Sequence, residues 1–103
     1  MQTPPTTRVL VIRNRQGLHA RPAEMFVRLA STFDAKIELI KEDRRVSAIS
    51  IIDLLTLGAA QGTQLILEAE GPDAAKAIEA LADLVENGFP REDEQHDQTQ
   101  GED

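Results

Sequence analysis

A chain of 103 residues, 41% of them hydrophobic and none of them cysteine, has the length for one domain with a modest core, and it excludes thiol catalysis, thiolate metal sites and disulfide staples. Eighteen acidic residues against eleven basic ones give a formal charge of −7, which argues against nucleic-acid binding through phosphate neutralisation. No apolar run is long enough to span a bilayer, and Met1-Gln2-Thr3-Pro4-Pro5 lacks the basic and apolar regions of a signal peptide, so the cytoplasm is the expected setting, without membrane insertion.

In chain order, the run Val9-Leu10-Val11-Ile12 predicts a strand over residues 8–14, followed by a loop through Arg15, Gln16 and Gly17. Ala20, Ala23, Phe26, Val27, Leu29 and Ala30 recur at helical spacing and predict a helix from about Ala20 to Thr32. Pro22 has no N–H to give, which is harmless only in a first turn, so it fixes the helix start within a residue or two. Residues 35–40 alternate around Ile37 and Leu39, and Lys41-Glu42-Asp43 turns them into a short strand over 45–48, an antiparallel hairpin. A short helix over 51–57 stops at Gly58, and Gln61-Gly62 leads into a strand over 63–70. After Gly71-Pro72-Asp73, the residues Ala74, Ala77, Ile78, Leu81, Leu84 and Val85 share one face of a last helix that Asn87-Gly88 ends.

The order β-α-β-β-α-β-α, with a short hairpin and single-faced helices, predicts an α+β domain in which three helices cover one side of a four-stranded antiparallel sheet. That domain is expected to span residues 1–88. Residues 91–103 hold six acids, one base and no large apolar side chain, so 89–103 is expected to be an acidic, disordered tail. His96 lies in it and reads as a solvated side chain. Two histidines so differently placed give no zinc site, and no cofactor is expected.

The chemistry concentrates in Gly17-Leu18-His19-Ala20-Arg21-Pro22-Ala23. His19 falls at or beside the helix N-cap, where free N–H groups and the positive end of the helix dipole disfavour a further positive charge and attract an anion. The imidazole is thus presented as a nucleophile, and Arg21 can offer a bidentate guanidinium to the same oxyanion. The residues by themselves fit three readings: an ordinary helix cap, a site that only holds a phosphate or carboxylate, and a phosphoryl acceptor that works without a metal.

This heptapeptide resembles the active-site motif of the HPr family, phosphocarriers of the bacterial phosphoenolpyruvate-dependent sugar phosphotransferase system. A second match, Ser47-Ala48-Ile49-Ser50-Ile51-Ile52 followed by Leu57-Gly58 and Gln61-Gly62-Thr63, is similar to that family's regulatory-serine region. Two motifs in order at the right interval are more specific than either alone, and the likeness runs from about Val9 to Val85. It implies an HPr-like open-faced β-sandwich, a monomer, and His19 as the acceptor of a phosphoryl group from enzyme I that is passed to enzyme IIA components, with Arg21 stabilising the transferred group.

Ser50 has a local explanation as an N-cap, with Asp53 completing a Ser-x-x-Asp box that ties two amides. The resemblance places it on a position modified by a metabolite-responsive HPr serine kinase/phosphorylase, although Asp53 would repel a phosphate there. Ile51, Ile52, Leu54, Leu55 and Leu57 are more apolar positions than one stripe of a short helix requires. Either Ile51 and Leu54 fill the core and the others are scattered surface residues, or, as the resemblance implies, Ile51, Ile52 and Leu55 dock partner proteins with Arg28 beside them. Glu24, Asp53 and Ile49 depart from the family's more basic surroundings and weaken electrostatic steering toward an acidic partner. The alternative function is a regulatory module for carbon or nitrogen control, acting by phosphorylation-dependent binding to a kinase or transcription regulator.

Overall fold

Side-chain alternation builds the sheet seen in the computed structural model, which describes residues 4–90. In β4 (Gln64–Glu70) Leu65, Leu67 and Ala69 point inward while Gln64, Ile66 and Glu70 face solvent. Leu10 of β1 (Thr6–Val11), Ile37 and Leu39 of β2 (Lys36–Lys41), and Val46 of β3 (Arg44–Ser47) extend the same buried layer. The spatial order is β1-β4-β2-β3 and every neighbouring pair is antiparallel. Register sets Leu10 opposite Leu65, and Leu39 opposite both Leu67 and Val46, so the inward residues form one continuous apolar sheet face.

Three helices cover that face. The longest, α3 (Ala74–Glu86), packs on β1, β4 and β2, while α1 (Ala20–Ala30) leans on α3 and on the short α2 (Ile51–Thr56), which touches β3. Phe26, Leu54, Leu81 and Val85 supply the helical half of the core, and each such side chain contributes about 1.5–3 kcal/mol through removal from water. The expected α+β architecture and element order are therefore present, as an open-faced sandwich whose outer sheet face no helix covers among the described residues. On that outer face Val9 lies opposite Ile66 and Ile66 opposite Ile40. Beside this apolar row Arg45 bonds Glu38 at 2.7 Å and also reaches Glu68, and those hydrogen bonds, to Glu38 first, raise its pKa above the ordinary arginine value.

A six-residue helix such as α2 is too short to hold itself together, and its ends show what does. Ser50 Oγ accepts from Asp53 N at 3.2 Å at the N-terminus. At the other end Lys41 Nζ donates to the Leu57 and Gly58 carbonyls at 3.0 and 3.3 Å, and Arg44 Nη2 donates to Thr56 Oγ1 at 3.0 Å. The β2–β3 hairpin thus caps the helix that follows it. The expected box at Ser50 closes on one side only, since Ser50 N donates to Ser47 O at 3.3 Å.

The domain boundary expected after Gly88 falls one residue short. Phe89 is 1% exposed and belongs to the core; its N–H donates to Leu84 O at 3.0 Å after the chain turns through Gly88. The polar run that begins at Arg91 masked a hydrophobic anchor at its edge. The remainder of the expected tail, 91–103 with His96, lies outside the described residues.

Candidate functional site

The segment before α1 is clamped to the loop before β4, which is how the two sequence motifs meet in space. Ile12 N donates to Thr63 O at 3.0 Å, Gly62 N to Ile12 O at 2.8 Å, and Leu18 N to Ala59 O at 2.9 Å, while Gln61 Nε2 donates to Arg13 O at 3.0 Å. Gly17 lies against this clamp with φ +75°, and a Cβ placed on it would sit 2.5 Å from Ala59 O. Only glycine fits both the left-handed backbone and the close approach. Asn14 Nδ2, donating to Gly17 O at 2.7 Å, secures the turn from the other side.

That turn delivers His19 to the N-cap of α1. Its backbone is extended, at φ −95° and ψ −164°, its carbonyl accepts from Ala23 N at 2.9 Å, and its side chain makes no capping hydrogen bond. The imidazole is thus not employed as a cap. The first-turn N–H groups of Ala20 and Arg21 have no backbone acceptor among the described residues, and Pro22 brings none. His19, half-buried, therefore stands at the positive end of an eleven-residue helix whose first amides have no backbone acceptor among the described residues and whose first turn holds no acidic residue.

Arg21 shares this helix start but is engaged elsewhere. Its Nη1 donates to Met25 Sδ at 2.8 Å and its Nη2 to the carbonyl of Phe89 at 3.1 Å. Both acceptors are neutral, so an anionic phosphoryl group competes well for the guanidinium. Neither contact is visible in the local motif: Met25 follows from the i, i+4 geometry of a helix, whereas Phe89 arrives from the far end of the chain.

Ser50, Ile51, Ile52 and Leu55 lie on the neighbouring α2, and α1 packs against that helix. Of the apolar set, Leu54 and Leu57 are buried, while Ile51, Ile52 and Leu55 are 39%, 72% and 42% exposed. Filling of the core by Ile51 is thereby corrected, because the six-residue helix turns only Leu54 of its own residues inward. Ile49, 62% exposed, extends the patch. Arg28 is exposed and bonded to Glu24 at 3.1 Å, an i, i+4 pair with little energetic weight. Among the described residues no group of three or more His, Asp or Glu side chains could hold a metal ion.

Comparison with known proteins agrees with this geometry. Residues 6–87 match the family model of the phosphotransferase-system HPr component phosphorylation site. The chain is 45% identical over 87 residues to the phosphocarrier protein HPr of Treponema pallidum, covering 84% of this chain and 96% of that one. Among solved structures, HPr from Thermoanaerobacter tengcongensis superimposes with a TM-score of 0.80 at 44% identity, over 84% of this chain and 98% of its own. Crh, a catabolite-repression protein of Bacillus subtilis described as a swapped, intertwined dimer, gives a TM-score of 0.67 at 38% identity over 78% and 92% of the two chains. With its fold, its helix-capping histidine position and 82 consecutive matched residues in accord, this chain belongs to the HPr family of the phosphotransferase system.

Proposed function

We propose that the protein is a phosphocarrier in which a ring nitrogen of His19 accepts a phosphoryl group from phosphorylated enzyme I and yields it to enzyme IIA components. The observation that carries this reading is the imidazole at the α1 N-cap, which makes no capping hydrogen bond, together with the Ala20 and Arg21 amides, which have no backbone acceptor among the described residues. As the P–N bond to His19 forms, the bond to the donor breaks, and the charge on the phosphoryl oxygens falls where backbone N–H groups and the helix dipole oppose no anion. Arg21 exchanges its neutral acceptors for those oxygens. The reaction needs positioning and fixed positive potential more than covalent help, which suits a small carrier.

Ile51, Ile52 and Leu55, with Ile49, supply an exposed apolar surface beside the acceptor, of the kind a transient interface uses. Arg28, exposed on the α1 helix that packs against α2, is the charged residue this reading assigns to the same interface. No helix among the described residues is long and apolar enough to cross a membrane. In the proposed relay the carrier works as a monomer in the cytoplasm, as the family reading implies. Incubation with enzyme I, phosphoenolpyruvate and a IIA component tests the relay. Loss of label from the carrier to IIA supports it; label that stays on the carrier and alters binding to a kinase or regulator favours the second reading.

That second reading is a regulatory module. It is supported by Ser50, which sits half-buried at the start of α2 beside the apolar patch, and by the similarity to Crh. A phosphate on Ser50 Oγ would be added next to Asp53, and an HPr serine kinase/phosphorylase is the partner this reading requires.

A further inference from the structure

What the Arg21 guanidinium touches determines how readily it can turn to a phosphoryl group. One of its two acceptors is a thioether, Met25 Sδ at 2.8 Å, one helical turn further along α1. A thioether is a weak acceptor, so this contact breaks easily when an anion arrives. Met25 is half-buried: its chain packs against the core while its sulfur faces a cation. Met1 is the other methionine and cysteine is absent, so Met25 is the one oxidisable sulfur among the described residues.

We infer that Met25 is an oxidation site that controls Arg21, with the sulfoxide oxygen holding the guanidinium away from the phosphoryl group. The reagent class is a peroxide. One peroxide oxygen is transferred to a lone pair of Sδ, the O–O bond breaks and an S–O bond forms, the sulfur is oxidised by two electrons, and the peroxide is reduced to water. The sulfoxide oxygen is a far stronger acceptor than the thioether sulfur, so its bond to the guanidinium is stronger than the contact it replaces. Sulfoxide reductases reverse the change, which makes the site a switch. The inference rests on the phosphocarrier reading, in which Arg21 must leave Met25 to meet phosphate.

The test treats full-length wild type and Met25→Leu with hydrogen peroxide and maps oxidation by peptide mass. Phosphoryl transfer from enzyme I to oxidised wild type is expected to slow by about tenfold, the scale of one charge-assisted hydrogen bond, and to recover with methionine sulfoxide reductase. Met25→Leu is expected to transfer at a rate that peroxide does not alter. NMR-detected exchange of the Arg21 guanidinium protons should slow in the sulfoxide form, a change that loss of packing alone would not produce. Unchanged transfer with unchanged Arg21 exchange in fully Met25-oxidised protein overturns the inference, as does equal peroxide sensitivity of Met25→Leu. If untreated wild type takes up no phosphoryl group, the phosphocarrier reading fails instead, and the Arg21 exchange still decides whether the sulfoxide holds the guanidinium.

Discussion

Arg21 and Phe89 are 68 positions apart in sequence and joined by a 3.1 Å hydrogen bond from guanidinium to carbonyl oxygen. The bond ties the start of α1 to the last aromatic residue of the core, whose ring is almost wholly buried. The arginine of the His19 motif is therefore held in a defined place by neutral partners. Its availability, and not its charge, is the quantity the fold controls.

Replacing Arg21 with alanine separates chemistry from stability. Transfer from enzyme I should slow by about 10- to 1,000-fold if the guanidinium stabilises the moving charge. Thermal unfolding should shift only slightly, because among the described residues the guanidinium makes two hydrogen bonds, both at part-buried positions and both to neutral acceptors. Stopped transfer kinetics beside a melting curve checks both; an unchanged rate removes Arg21 from the mechanism.

Gly17→Ala attacks the turn that aims His19. The new methyl would meet Ala59 O at 2.5 Å, and the residue would be forced to keep φ +75°. Backbone strain of this sort costs about 1–3 kcal/mol, more when a carbonyl must also move. Chemical denaturation should show that loss, with slower phosphorylation of His19 in the fraction that stays folded.

On α2, two neighbouring apolar residues should behave in opposite ways. Leu54→Ala empties a fully buried position and should cost about 2–5 kcal/mol of stability. Ile52→Ala, 72% exposed, should change stability by less than about 0.5 kcal/mol yet weaken binding to enzyme I in calorimetry. Equal binding by Ile52→Ala and wild type would remove the patch from the docking surface.

Ser50→Ala removes the cap acceptor of α2 and should destabilise the protein by about 1 kcal/mol in denaturant unfolding, whatever the role of the hydroxyl in regulation. Incubation with the cognate serine kinase resolves that role. Wild type should take acid-stable label and the alanine variant none; equal labelling of both would place the modified residue elsewhere.

The elements were legible in the sequence because each carries its own period: Leu65, Leu67 and Ala69 alternate, and Ala23, Phe26 and Ala30 follow the helix. Pro22 and Ala20 located the α1 start, which put His19 at the N-cap where the structure has it. What local pattern could not show were partners brought in from a distance. Phe89 was hidden by the polar run behind it, and its turn at φ +56° is a backbone choice no spacing reveals. Ile51 had the apolarity of a core residue, and its exposure depends on how few turns α2 has to offer. The capping of α2 by Lys41 and Arg44 likewise depends on a hairpin whose side chains reach across to a different element.

The central claim is that His19 carries the phosphoryl group. Phosphorylation of wild type and His19→Ala by enzyme I and phosphoenolpyruvate, followed by peptide mapping under alkaline and acidic conditions, tests it most directly. Wild type should carry one acid-labile phosphoryl group on His19 and the variant none. Phosphate found on another residue, or equal labelling of His19→Ala, would contradict it.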